Sequence, residues 1–147
     1  MNLKEILSNS VAARRTNEMK HSRQLMLIEL ILGLESIQDK SKDVCFDVAP
    51  HIPRLFNSWR GAYEELALGY ANEPINVELF LYRARKANGQ TYMGYKGGEY
   101  TMGRNTPIWV ANYGDSESWD DKRRGLVGVE EHGGEVVLNT EIMEYLG

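Results

Sequence analysis

The stretch Gly89 to Gly114, GQTYMGYKGGEYTMGRNTPIWVANYG, constrains this chain more than any other. It holds six of the fourteen glycines and four of the eight tyrosines, together with Lys96, Arg104 and Trp109. Glycine lets a backbone take positive φ or approach another group closely. Set between aromatic and cationic side chains, these glycines suit stacking a ring and holding an anion better than filling a core. A strand-like reading of the second half of the chain follows.

The chain's 147 residues predict one domain that buries roughly two-thirds of its unfolded surface. Apolar residues at 42% and charged residues at 26% are ordinary for a globular protein. A net charge of −4 argues against a protein that coats nucleic acid or reads its sequence. The clusters Arg83, Arg85, Lys86 and Arg123, Arg124 read as solvated surface. Cys45 is the single cysteine, which excludes an intramolecular disulfide and a cysteine-rich metal site; Val44 and Phe46 beside it suggest a buried strand thiol. No signal peptide is visible. The longest apolar run, Leu25 to Leu34, contains Glu29 and falls far short of the ~20 residues that span a bilayer. The expectation is a cytosolic, reducing environment and no membrane partner.

Asn2 and Glu5 resemble a capping box opening a helix with Leu3, Ile6, Leu7 and Val11 at helical spacing. Residues 1–21 read as that helix plus a linker, and residues 22–147 as a single α+β domain. Ser22 is positioned to cap a second helix to about Ile37, apolar round most of its circumference, hence a core helix or a homodimer contact. Val44–Val48 reads as a strand, and Pro50 and Pro53 predict an irregular passage into Phe56–Gly61. Ala62–Tyr70 alternates as a strand although AYEELAL also favours helix. A third helix starts near Asn72–Pro74, buries Val77, Phe80, Leu81 and Ala84, and ends at Asn88-Gly89. Strands follow at 107–113, 125–130 and 135–139, the last two joined by the turn Glu131-His132-Gly133-Gly134. A short helical turn is expected at 141–146. The predicted order is α-α-β-β-α-β-β-β, a mainly antiparallel sheet packed against two or three helices.

Two segments carry chemistry. Ser58-Trp59-Arg60-Gly61-Ala62-Tyr63 places an indole, a guanidinium and a phenol within a few residues, a stacking face beside a rigid five-donor fork. The structural alternative has Trp59 anchoring the core and Arg60 pairing with Glu64 or Glu65. In the glycine-rich tract, Tyr92, Tyr95 and Tyr100 flank Lys96-Gly97-Gly98-Glu99. The diglycine is a candidate anion nest, Lys96 a point charge and Glu99 an acceptor for sugar hydroxyls or a base edge. The alternative is a twisted, bulged hairpin. Neither a Walker loop nor a GxGxxG pattern is present. Arg104, Trp109 and Asn112 line the same cleft if the chain folds back. The candidate ligand-binding set is therefore Trp59, Arg60, Tyr63, Tyr95, Lys96, Glu99, Tyr100, Arg104, Trp109 and Asn112. Trp119, among charges at 115–124, is a lid, a partner contact or a local cap.

Catalytic constellations are poor. His21, His51 and His132 show no metal-ligand spacing, no nucleophile elbow is present, and Glu64-Glu65, Asp120-Asp121 and Glu130-Glu131 are adjacent pairs that a strand would split between faces. No catalytic residue, metal or cofactor is assigned.

SWRGAYEELALGY (58–70), TYMGYKGGEYTM (91–102) and TPIWVANYG (106–114) resemble a family of small proteins encoded by tailed bacteriophages, over roughly residues 25 to 140. The resemblance implies a phage accessory protein in the cytoplasm of an infected bacterium, where such proteins often serve host takeover or counter-defence. It carries no functional residues with it. The leading reading is sequestration of a nucleotide-like anionic small molecule without catalysis; the alternatives are inhibition of a host defence enzyme or nuclease by protein–protein contact and, second, hydrolysis of a nucleotide through Glu99 or an aspartate with a metal ion.

Overall fold

The computed structural model describes residues 23–48 and 50–143; the helix expected within residues 1–21 lies outside them. The elements are α1 (Leu27–Glu35), β1 (Asp43–Phe46), β2 (Ile52–Trp59), β3 (Ala62–Ala71), α2 (Val77–Ala87), β4 (Thr91–Met93), β5 (Glu99–Thr101), β6 (Ile108–Val110), β7 (Arg124–His132) and β8 (Glu135–Ile142). Six strands form one sheet in the order β1-β8-β7-β6-β3-β2, while β4 and β5 make a separate hairpin. The α+β class stands, but the sheet is mixed rather than mainly antiparallel. β1 runs parallel to β8 and β3 parallel to β6. The connection from β3 to β6 contains α2 and the β4–β5 hairpin, and a crossover of that length permits a parallel return. The two edge strands approach each other, and Phe46 N–H donates to His51 O at 3.0 Å. The sheet thus curls towards a barrel.

Both helices pack on each other and against this curl. Leu27, Leu30, Ile31 and Leu34 of α1 share one core with Val77, Phe80, Leu81 and Ala84 of α2 and with Leu66, Leu68, Ile108, Val110, Leu126, Val136 and Leu138 of the sheet. The apolar girth of α1 is therefore used within its own chain, which removes the sequence reason for a homodimer. Its start lies later than the Ser22 expectation: Met26 is the N-cap, and its N–H donates to Glu29 Oε1 at 2.8 Å. α2 likewise begins after Pro74, where the Asn76 side chain accepts from Leu79 N–H at 2.9 Å. Gly89 follows it at φ +85°, the left-handed stop that Asn88-Gly89 signals.

The irregular passage expected from Pro50 and Pro53 into Phe56–Gly61 is a strand from Ile52 to Trp59. β2 tolerates Pro53 because it lies at the sheet's edge and shifts register between Pro53 and Phe56, where a missing N–H costs no central ladder bond. Ala62–Ala71 is a strand, since pairing on both sides outweighs local helix propensity. At the C-terminus β8 continues through Glu141 to Ile142, and most of the segment expected as a helical turn, from residue 144 on, lies outside the described residues. Cys45 sits on β1 but is only half-buried; burial, then the Glu135 carboxylate, push its thiol up. Among the described residues no helix is long and apolar enough to cross a membrane.

Alternation in β3 and β6 gives the sheet a second buried layer. Leu66 and Leu68, with Ile108 and Val110, face the helices. Ala67 and Trp109, a pair in register, face the other way and join Trp59 and Ala111 in a separate cluster, as a period of two requires. The Trp59 ring lies back over the β2–β3 turn, where a Cβ at Gly61 would stand 2.5 Å from the indole. The ring is held on its far side and has nowhere to yield. Gly61→Ala is expected to lower stability by about 1–3 kcal/mol, the usual cost of overpacking; chemical denaturation checks it, and a neutral result would place the indole elsewhere.

Candidate functional site

Arg60 and Gly61 connect β2 to β3, the two strands against which the β4–β5 hairpin packs. The Arg60 guanidinium lies 4.2 Å from the centre of the Tyr95 ring, and its Nη1 donates to Gly114 O at 3.1 Å. Behind it, Tyr63 and Tyr100 meet with ring centres 5.5 Å apart. Gly94 is wedged between them: a Cβ there would stand 2.9 Å from Tyr100 and 3.3 Å from Tyr63. Tyr113 Oη donates to Met93 O at 3.1 Å. The Trp-Arg corner and the glycine-rich tract therefore do come together, through Arg60, Tyr63, Tyr95, Tyr100 and Gly114.

The indoles do not take part as open stacking faces. Trp59 and Trp109 are both 0% exposed and stack on each other, ring centres 3.9 Å apart and planes at 8°. Trp109 Nε1 donates to Glu65 Oε1 at 2.8 Å, and the Arg123 guanidinium lies 5.7 Å from the Trp59 ring. Trp59 is a core anchor, the structural alternative weighed from sequence, while Arg60 binds Tyr95 and Gly114 rather than a glutamate.

The diglycine also differs from an open anion nest. Gly97 and Gly98 take φ of +97° and +85°, and the turn closes on itself: Gly97 N–H donates to Gly94 O and Gly94 N–H to Gly98 O, both at 2.9 Å. The Gly97 donor is thus already used. Lys96 and Glu99 are exposed on this hairpin. Asn112 is half-buried; its Oδ1 accepts from Tyr70 N–H at 3.0 Å and fills the space beside Gly69, so it braces β3. Arg104 sits at the start of α1, where its carbonyl accepts from Ile28 N–H at 2.9 Å. Tyr92 turns inward and burial pushes its phenol up to about 12. The surface left open carries Met93 at 55%, Tyr95 at 50% and Tyr113 at 50% exposure, with Arg60 against the Tyr95 ring and Lys96 next to Tyr95 in sequence.

A second constellation escaped the sequence reading. The Trp119 indole stacks on His51, centres 4.3 Å apart and planes at 12°, and meets Tyr70 edge-on at 5.1 Å and Phe46 at 5.4 Å. The Arg124 guanidinium lies 5.2 Å from the same ring. Arg124 is not solvated surface: its side chain is 12% exposed, pairs with Asp120 and donates to Thr140 Oγ1 at 3.1 Å. Thr140 donates N–H and O–H to Asp47. Burial raises the Tyr70 phenol, and Asp115, Asp120 and Asp121 add to it. Burial is the largest single influence on Asp120 and acts in the same sense, but the Arg124 bond and charge together with backbone N–H donors hold that carboxyl low. These residues come from β1, β3, β7, β8 and two loops, so no local motif announces them. Among the described residues, no three His, Cys, Asp or Glu side chains gather to hold a metal ion.

No family model matches the chain, and neither a curated protein nor a solved structure matches it significantly.

The hairpin's exposed and wedged residues separate cleanly in stability. Tyr95→Ala forfeits an exposed cation–π contact and is expected to cost about 0.5–1 kcal/mol. Gly94→Ala crowds two rings and is expected to cost about 1–3 kcal/mol. Thermal melts of the two variants check the order, and a larger loss for Tyr95→Ala would contradict it.

Proposed function

We propose that this is a non-enzymatic binding protein of the phage accessory kind, whose working surface is the cluster Arg60, Met93, Tyr95, Lys96 and Tyr113. The occupant that fits best is an acidic host protein, bound and inhibited in the cytoplasm of the infected cell. The observation that carries this reading is three large, half-exposed side chains: Met93 and Tyr95 on a hairpin whose turn is tied at Gly94 and Gly97, and Tyr113 beyond β6, whose hydroxyl donates to Met93 O. Tyrosine, methionine and arginine are the residues enriched in interface centres, and a tied backbone lowers the ordering cost of binding. Arg60 and Lys96 present positive charge on a chain of net charge −4, which favours an acidic patch on the partner.

A nucleotide-like anionic small molecule is the second reading, favoured by the guanidinium lying on the Tyr95 ring with Lys96 next in sequence. It draws less support because both indole faces and the Gly97 donor are engaged elsewhere.

Capture from host lysate with wild type and the Tyr95→Ala/Tyr113→Ala double variant decides between them. The protein-partner reading expects one acidic partner, with affinity at least about 30-fold weaker for the double variant, as hot-spot losses of 2 kcal/mol or more imply. Equal capture by both proteins contradicts it. Calorimetric heat with cyclic or linear dinucleotides or ADP-ribose, lost in Arg60→Ala, would transfer the assignment to the small molecule.

A further inference from the structure

We infer that the loop Asp115–Arg123 is a lid, and that Trp119 occupies a slot at the mouth of the curled sheet built to take a planar, uncharged or cationic heteroaromatic ring. The indole already has the surroundings of a bound ring. His51 lies parallel beneath it at 4.3 Å, Tyr70 meets it edge-on at 5.1 Å, Phe46 closes one side and the Arg124 guanidinium approaches at 5.2 Å. Parallel and edge-on ring contacts of this kind fix a flat ligand in place, and barrel mouths are a recurrent location for such sites.

The middle of the loop that carries the indole is hydrogen-bonded to itself, and its backbone is anchored at the two ends. Ser118 N–H donates to Lys122 O at 2.9 Å, Asp121 N–H to Ser118 O at 3.1 Å and Asp115 N–H to Asn112 O at 2.9 Å. Its ties to the body are the Trp119 ring contacts and, at the loop's end, the Asp120–Arg124 pair, the Arg123 carbonyl accepting from Met143 N–H at 2.8 Å and the Arg123 guanidinium 5.7 Å from the Trp59 ring. Closure also buries polar atoms: Ser118 is only 5% exposed, and among the described residues neither its Oγ nor the buried Arg124 Nε has a hydrogen-bond partner. Lifting the loop lets water reach both, which narrows the gap between closed and open states. A ring that binds the vacated slot then shifts the population towards the open form.

Charge selects the ligand class. Asp115, Asp120 and Asp121 act on the Tyr70 phenol, and Asp47 lies on the same side through Thr140. Against them stands the Arg124 guanidinium. An anionic ring meets this carboxylate set unfavourably, whereas a free purine or an indole does not.

The test titrates adenine, indole and anionic indole-3-acetate into wild type, Trp119→Ala and Ser118→Ala by calorimetry, and follows amide exchange of residues 115–123. Trp119→Ala removes the competing ring and is expected to bind adenine or indole at least tenfold more tightly than wild type, and indole-3-acetate more weakly. Ser118→Ala removes a buried hydroxyl; its loop is expected to exchange more slowly than wild type and its ring binding to weaken. A folded Trp119→Ala that gives no heat with adenine or indole overturns the inference. So does a Ser118→Ala variant whose loop exchanges as fast as wild type, and that arm stands even if Trp119→Ala fails to fold.

Discussion

The stack of Trp59 on Trp109 is the contact on which the rest of the candidate surface depends. Its ring centres are 3.9 Å apart and both indoles are fully buried. Trp59 ends β2 and Trp109 sits in β6, so the pair pins the β2–β3 turn to a strand that pairs on the far side of β3. Aromatic pairs of this kind contribute about 0.5–1.5 kcal/mol beyond their buried area. More important here is position. Arg60 follows Trp59, and Gly114 lies a few residues beyond Trp109, so the stack sets the 3.1 Å bond between them. Tyr95 then has a fixed cation to lie against, and the hairpin acquires a floor.

A period of two makes this possible. Leu66 and Leu68 feed the main core while Ala67 faces the indoles, and Ile108 and Val110 flank Trp109 in the same way. Small residues at Ala67, Ala111 and Gly61 leave room for the two rings. The sheet therefore carries a layer of aromatic packing on the face away from its helices. The chemistry-bearing side chains sit at its margins: tyrosines and Arg60 at one turn, Trp119 and His51 at the mouth.

Much of the frame was legible in the sequence. The apolar girth of residues 27–34 announced a core helix, Val77, Phe80, Leu81 and Ala84 announced the buried face of α2, and Glu131–Gly134 announced the β7–β8 turn. The parallel pairs were not legible, because β1 meets β8 and β3 meets β6 across long sequence separations that no local pattern records. Pro53 misled because an edge strand accepts what a central one refuses. The site was legible in part. Arg60, Tyr63, Tyr95 and Tyr100 do converge, but sequence cannot tell an indole that faces solvent from one that faces another indole. For the same reason His51, Tyr70, Trp119 and Arg124 gave no joint signal.

Residue-resolved amide exchange in Trp59→Leu tests most directly whether the indole stack sets this surface. The account predicts that the Gly94 and Gly97 amides, whose bonds close the hairpin turn, lose protection while the paired residues of β7 and β8 keep theirs. Unchanged protection at both glycines in a folded variant would contradict it.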